Sequence, residues 1–161
     1  MSHAYAIARL TGIVSYLTDH DSGSLPFLMH VIRLHGPWSL EITANEPGQP
    51  ERVHLPRDWA KVGEAGRQSQ VTLVRRFHRP TGLSQTTRVA LTLPAGWPVV
   101  AVTVNEKRLP TPSIVEQRRV FDLSAIVRLR EAHDLRIEFE PGNRLLEQPY
   151  LVALEIHETD D

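Results

Sequence analysis

Arg88-Val89-Ala90-Leu91-Thr92-Leu93 and Leu135-Arg136-Ile137-Glu138-Phe139-Glu140 are the two stretches whose reading decides the fold. In the first, Val89, Leu91 and Leu93 share one side of an extended chain, and Arg88, Ala90 and Thr92 share the other. In the second, Leu135, Ile137 and Phe139 oppose Arg136, Glu138 and Glu140. Successive side chains of a strand point to opposite faces, so a period of two predicts strands with one face in a core and one wet. Val100, Val102 and Val104 form a third such set.

Working outward, the same texture continues. Ala4 to Leu17 and Phe27 to Leu34 are strand-like runs separated by the turn formers Asp19-His20-Asp21-Ser22-Gly23-Ser24, and Leu151 to Ile156 is apolar enough for a strand covered on both sides. Helical patterns are few: Asp58 to Ala65, ended by Gly66, and Ser124 to Ala132, with Ser124 as its cap. Twelve prolines and nine glycines punctuate short apolar runs, with no fixed repeat and no linker. The expected fold class is all-β, an antiparallel β-sandwich or jelly roll, as one domain over residues 1–161.

Composition narrows the function classes. A chain of 161 residues supports one good core, burying roughly 70% of its extended surface. With 18 Lys and Arg against 19 Asp and Glu, there is no basic excess to track a phosphate backbone, and no nucleic-acid partner is expected. The pairs Arg75-Arg76, Lys107-Arg108 and Arg118-Arg119 read as solvated positions. No cysteine is present, which removes disulfides and thiolate chemistry. No stretch reaches the roughly 18 to 20 apolar residues of a spanning helix, and Met1 to Tyr5 lack a leader pattern, so no membrane partner and a cytoplasmic location are expected.

A family resemblance rests on motif order. Leu34-His35-Gly36-Pro37-Trp38, Val53-His54-Leu55-Pro56-Arg57-Asp58-Trp59 and Val74-Arg75-Arg76-Phe77 arrive in sequence. They are followed by Arg88 to Leu93, Ala101-Val102-Thr103-Val104-Asn105, Phe121-Asp122-Leu123-Ser124 and Leu135-Arg136-Ile137-Glu138-Phe139. Together these resemble the sugar-binding, galactose-binding-like jelly-roll domain of family-two glycoside hydrolases of the β-galactosidase and β-glucuronidase type. The similar region is roughly residues 34–157, and residues 1–33 read as extra N-terminal strands. Two departures stand out. Glu106 occupies the place of a turn glycine, which argues for a longer or different turn, and His133-Asp134 replace glycine and asparagine.

What the resemblance implies is a fold without its chemistry. In that family two carboxylates on a separate barrel of about 250 residues do the hydrolysis, so no enzyme activity is expected of this chain. Glu138 and Glu140 share a strand face and read as solvated. The histidines at 3, 20, 30, 35, 54, 78, 133 and 157 follow no metal-ligand spacing and read as scattered over the surface. No metal site and no cofactor is expected; Asp19, Asp21 and Ser22 are loosely placed calcium donors at best. Serine-elbow, Walker and dinucleotide phrases are absent.

Of the three tryptophans, Trp38 and Trp59 fall within motifs and are expected at the sandwich edge. Trp97, in Pro94-Ala95-Gly96-Trp97-Pro98, is the candidate ligand-binding residue, a platform for a pyranose, against the alternative of a loop residue folded over the core. The functional expectation is a non-catalytic carbohydrate-binding or accessory domain. The alternative is a protein-interaction or structural domain that self-associates through its N-terminal strands, with a protein partner or a homodimer. A small hydrolase of another type would require a cleft with converging polar groups.

Overall fold

The computed structural model describes residues 13–16, 28–43 and 48–158. The strands are β1 (Ile13–Tyr16), β2 (Leu28–Arg33), β3 (Gly36–Thr43), β4 (Glu51–Leu55), β5 (Gln70–His78) and β6 (Arg88–Pro94). They continue as β7 (Val99–Val104), β8 (Lys107–Arg108), β9 (Ser113–Val115), β10 (Arg118–Asp122), β11 (Ala132–Phe139) and β12 (Ala153–Glu158). Two short helices, α1 (Trp59–Gly66) and α2 (Ser124–Val127), and a 3-10 turn at Asn143–Glu147 complete the fold.

Two six-stranded sheets form, ordered β1-β2-β12-β6-β10-β9 and β4-β3-β5-β11-β7-β8, and every pairing is antiparallel. This is the all-β sandwich that the alternating sequence predicts. The two deciding stretches sit near the middle of opposite sheets. Val89, Leu91 and Leu93 of β6 face Leu135, Ile137 and Phe139 of β11, and all six are at most 1% exposed. Fully burying one such side chain is worth about 1.5–3 kcal/mol, so these central strands anchor the domain.

Register corrects one strand. The pairing of β11 with β7 slips between Glu138 and Phe139, so that Phe139 stands opposite Val99. A bulge of this kind shifts the alternation by one residue. Val102 and Val104 are buried as expected, whereas Val100 is 38% exposed and Val99 packs against the core instead.

The segments 1–12 and 17–27, which include the loosely placed donors Asp19, Asp21 and Ser22, lie outside the described residues. Within residues 1–33, β1 pairs with β2, and β2 pairs with β12 of the same chain. Helix α1 matches its expected span. Helix α2 stops at Val127, well short of Ala132, because Ala132 and His133 are drawn into β11. Ser124 is not its cap either: its amide donates to Asp122 Oδ1, and its hydroxyl accepts the Val89 amide. Among the described residues no helix is long and apolar enough to cross a membrane.

Candidate functional site

The outward-facing residues of the first sheet line up in rows set by register. One row runs Arg33, Ala153, Thr92, Val120, Ser113; the next runs Val31, Glu155, Ala90, Asp122; a third runs Met29, His157, Arg88. Along the two central strands β12 and β6, small residues alternate with polar ones, so the middle of this face is low. Two hollows lie on it. One, of about 490 Å³, is lined by Met29, Val31, Arg33, His35, Thr92, Pro94, Gln117, Gln148 and Ala153, among others. The second, of about 510 Å³, is lined by Arg88, Ala90, Pro110, Ser113, Val120 and His157. The first also takes Glu155, which stands opposite Ala90, so the hollows adjoin along one face.

Their meeting point is polar, with a buried carboxylate between two part-exposed basic side chains. Glu155 is only 5% exposed, yet it carries a charge-assisted bond from Arg118 Nη1 and lies 3.4 Å from His157 Nε2. The His157 hydrogen bond first, and then the Arg118 guanidinium, hold the Glu155 carboxyl below its ordinary range against the opposing effect of burial. Arg118 also reaches Glu116 at 3.6 Å. The face that the sequence reading assigns to solvent is thus partly closed: Ala90 and Thr92 are 8% and 5% exposed.

Glu116 and Gln117 form the turn between β9 and β10, and both have left-handed backbone, with φ of 48° and 61°. Val115 pairs with Arg118, so this is a two-residue hairpin of the primed type, built without glycine at a wall of the first hollow. Non-glycine residues are costly in that region, and such outliers cluster at ligand-facing sites.

Trp97 is not on this surface. It is 1% exposed, which removes it as a platform for any ligand. Its ring stacks on Trp59 with centroids 4.8 Å apart and meets Phe139 edge-on at 5.5 Å. Arg119 explains the fold of the loop: its guanidinium donates to the carbonyls of Ala95 and Trp97, at 3.3 and 3.0 Å, and pulls the segment back over the core. Trp38, expected at the edge, is 2% exposed, with Nε1 donating to Leu34 O; Trp59 sits half-buried at the rim and donates to Gln148 O.

Two further sequence readings are revised. His133 is fully buried rather than a surface histidine, stacked on Phe77 with centroids 5.2 Å apart. Its Nε2 lies 3.1 Å from the Arg130 carbonyl, so that nitrogen carries the hydrogen, and Nδ1 accepts from Asn105 Nδ2 at 2.9 Å. Asn105 Oδ1 in turn accepts the Asp134 amide. This clamp holds a turn that the sequence reading expects to be longer or of another type: it is a two-residue hairpin in which Val104 pairs directly with Lys107, and Asn105 and Glu106 adopt φ of 50° and 66°. The His133-Asp134 departure thus meets the turn that carries Glu106 through Asn105.

Glu138 stands on the outer face of the second sheet opposite Thr72 and Ala101, while Glu140 lies past the end of β11. Among the described residues no three His, Asp or Glu side chains come together as a metal cage.

The sandwich is similar in fold to a part of several solved glycosidases. Three solved structures share it. A β-glucuronidase described as FMN-binding, from Facaelibacterium prausnitzii L2-6, aligns with 80% of this chain at 21% identity and a TM-score of 0.56. A β-glucuronidase of Bifidobacterium dentium, complexed with coumarin-3-O-glucuronide, aligns with 90% at 14% identity and a TM-score of 0.58. A β-D-mannosidase of Dictyoglomus thermophilum aligns with 74% at 10% identity and a TM-score of 0.52. This chain spans 22%, 32% and 17% of those chains, and at such identities the likeness is one of fold. No family model matches the chain. No curated protein is similar to it at a significant level.

Proposed function

We propose that this chain is a non-catalytic carbohydrate-binding domain whose ligand lies along the outer face of the first sheet. The observation that carries the reading is the pair of adjoining hollows with Glu155, Arg118 and His157 between them. A sugar presents hydroxyls that both donate and accept. A preorganised carboxylate flanked by a guanidinium and an imidazole offers both roles in a site where desolvation strengthens each bond. Gln117 and Gln148 add planar amides at the edge of the first hollow. The two hollows in succession suit an extended oligosaccharide better than a single ring, and the aliphatic floor of Val31, Thr92 and Ala153 takes the place of an aromatic platform.

The non-catalytic part of the reading has its own support. A glycosidase needs one carboxyl kept protonated as general acid. Among the described residues the carboxyls with a shift, Asp58, Asp122 and Glu155, are moved down, toward the ionised form. Glu155 pairs with Arg118, which also favours its charged state.

The test is a chemical-shift titration of the labelled chain with a panel of neutral mono- and oligosaccharides. Shifts centred on Thr92, Ala153 and Glu155, weakened in Glu155→Gln, are expected. No perturbation by any sugar at millimolar concentration, or perturbations confined to the second sheet, would remove the proposal.

A further inference from the structure

Among the described residues, Arg75 is a cation without an anion. It belongs to the inward-facing set of β5 with Leu73 and Phe77, close to the corner where the chain leaves β2 and enters β3. One Nη donates to the carbonyl of His35, and the guanidinium carbon lies 5.6 Å from the Trp38 ring centroid. Its Nε is buried with no partner, and no carboxylate among the described residues pairs with it. Burial pushes its pKa below the ordinary arginine value, yet a guanidinium does not surrender its proton in a protein. The one nearby hydroxyl, Tyr150, is already committed to Leu34 O at 2.5 Å, and burial pushes its pKa up, so it stays neutral.

Two more basic groups flank it. His35 has its pKa lowered by burial first and then by the charges of Arg33 and Arg75, and its carbonyl takes the Arg75 bond, so each arginine lies beside His35. None of the three forms an ion pair among the described residues, whereas Arg118, Arg136, Arg57 and Arg79 elsewhere each do. Arg33 and His35 line the end of the first hollow. Only the Nε of Arg75 is buried; its Nη reaches solvent beside His35, and an unpaired cluster of one sign beside a cavity attracts a ligand of the other sign.

We infer that Arg33, His35 and Arg75 form an oxyanion subsite at the β2–β3 corner, taking a carboxylate or phosphate group at the end of the groove. The subsite deepens the carbohydrate reading by making the ligand acidic, and it rests on that reading only for the groove it adjoins. An oxyanion there supplies the missing counter-charge to Arg75 and is steered in by Arg33 at the mouth.

The experiment measures thermal unfolding of the full chain at low ionic strength with inorganic phosphate, with acetate, and with sodium chloride matched in ionic strength. Phosphate or acetate is expected to raise the melting temperature beyond chloride, and the larger of the two effects tells a phosphate ligand from a carboxylate one. Arg75→Met is expected to abolish the rise while costing no stability in anion-free buffer, since it removes an uncompensated charge. Arg33→Ala, on an exposed residue, is expected to weaken the apparent affinity about tenfold. The inference is overturned if neither anion exceeds chloride, if Arg75→Met keeps the full response, or if Arg75→Met destabilises the anion-free chain. Neutral sugars that bind while both anions fail sink this subsite alone; anions that bind while every neutral sugar fails sink the neutral-sugar reading and leave the subsite standing.

Discussion

The turn at Asn105-Glu106 permits a quantitative prediction, because its geometry and its anchor are both defined. Replacing Asn105 by alanine removes the Oδ1 bond to the Asp134 amide, at 3.0 Å, and strips His133 Nδ1 of its donor at 2.9 Å. The first loss is worth about 1 kcal/mol, and leaving a polar atom of a fully buried ring unsatisfied costs about 1–3 kcal/mol more. Alanine at a φ of 50° adds roughly 1 kcal/mol of left-handed strain that asparagine largely escapes. The sum is about 3–5 kcal/mol. At about 2–4 °C per kcal/mol for a domain of this size, the melting temperature should fall by roughly 6–20 °C. Asn105→Gly separates the contributions, since glycine accepts the φ but still loses both bonds, and should cost about 0.5 kcal/mol less than alanine once glycine's entropy is set against the relieved strain. Glu106→Gly should move the other way, stabilising by about 0.5 kcal/mol as the strain at φ 66° is relieved against the entropy of glycine. Urea unfolding followed by circular dichroism measures all three. An Asn105→Ala chain within 1 kcal/mol of wild type would refute the clamp, and a Glu106→Gly chain that is clearly less stable would refute the backbone strain at that position.

Three other outcomes follow from the packing and the charges. Trp97→Ala should destabilise by about 3–5 kcal/mol, as for a large core aromatic, and sugar titrations should leave Trp97 emission unchanged; quenching by a soluble sugar would contradict its burial. Glu155 has its folded pKa held down, so its stabilising contribution is present above the unfolded value of ~4.3 and is lost as pH falls through the folded value. Glu155→Gln should therefore be less stable than wild type at pH 7, with the difference shrinking toward pH 3 in thermal scans, and a difference that grows on acidification would reverse the sign. Gly63→Ala places a Cβ at 2.1 Å from Leu146 Cδ2 and 2.4 Å from its Cγ, so it should cost about 1–2 kcal/mol net of alanine's helix preference; a chain that gains the ~1 kcal/mol of that preference instead would show that the 3-10 turn moves aside freely.

Much of the candidate site was written in the sequence in a form that could not be read as a site. Glu155 and His157 fall in the last strand, and Arg118 belongs to a basic pair that reads as solvated. Nothing in spacing joins them, because their association depends on β6 lying between β12 and β10 in one sheet. Trp97 was singled out because it interrupts a loop. What placed it inside was a guanidinium from β10 holding that loop by two carbonyls. The one signal that pointed at a special feature was the pair of departures at Glu106 and His133-Asp134: His133 and Asp134 are bonded to Asn105, the residue that precedes Glu106 in the turn.

By itself, the sequence determined the all-β class, the inward residues of the central strands β6 and β11, and the place of helix α1. Those depend on alternation and on a short helical run before a glycine, which act over a few residues and need no knowledge of neighbours. Tertiary structure decided the register slip that turned Val99 inward in place of Val100, the burial of Trp97 and His133, and the gathering of Arg33, His35 and Arg75 at one corner. Each of these is set by strand order and by contacts between residues far apart in the chain, where a one-residue shift in pairing reverses which side chains meet the core and which are left to meet a ligand.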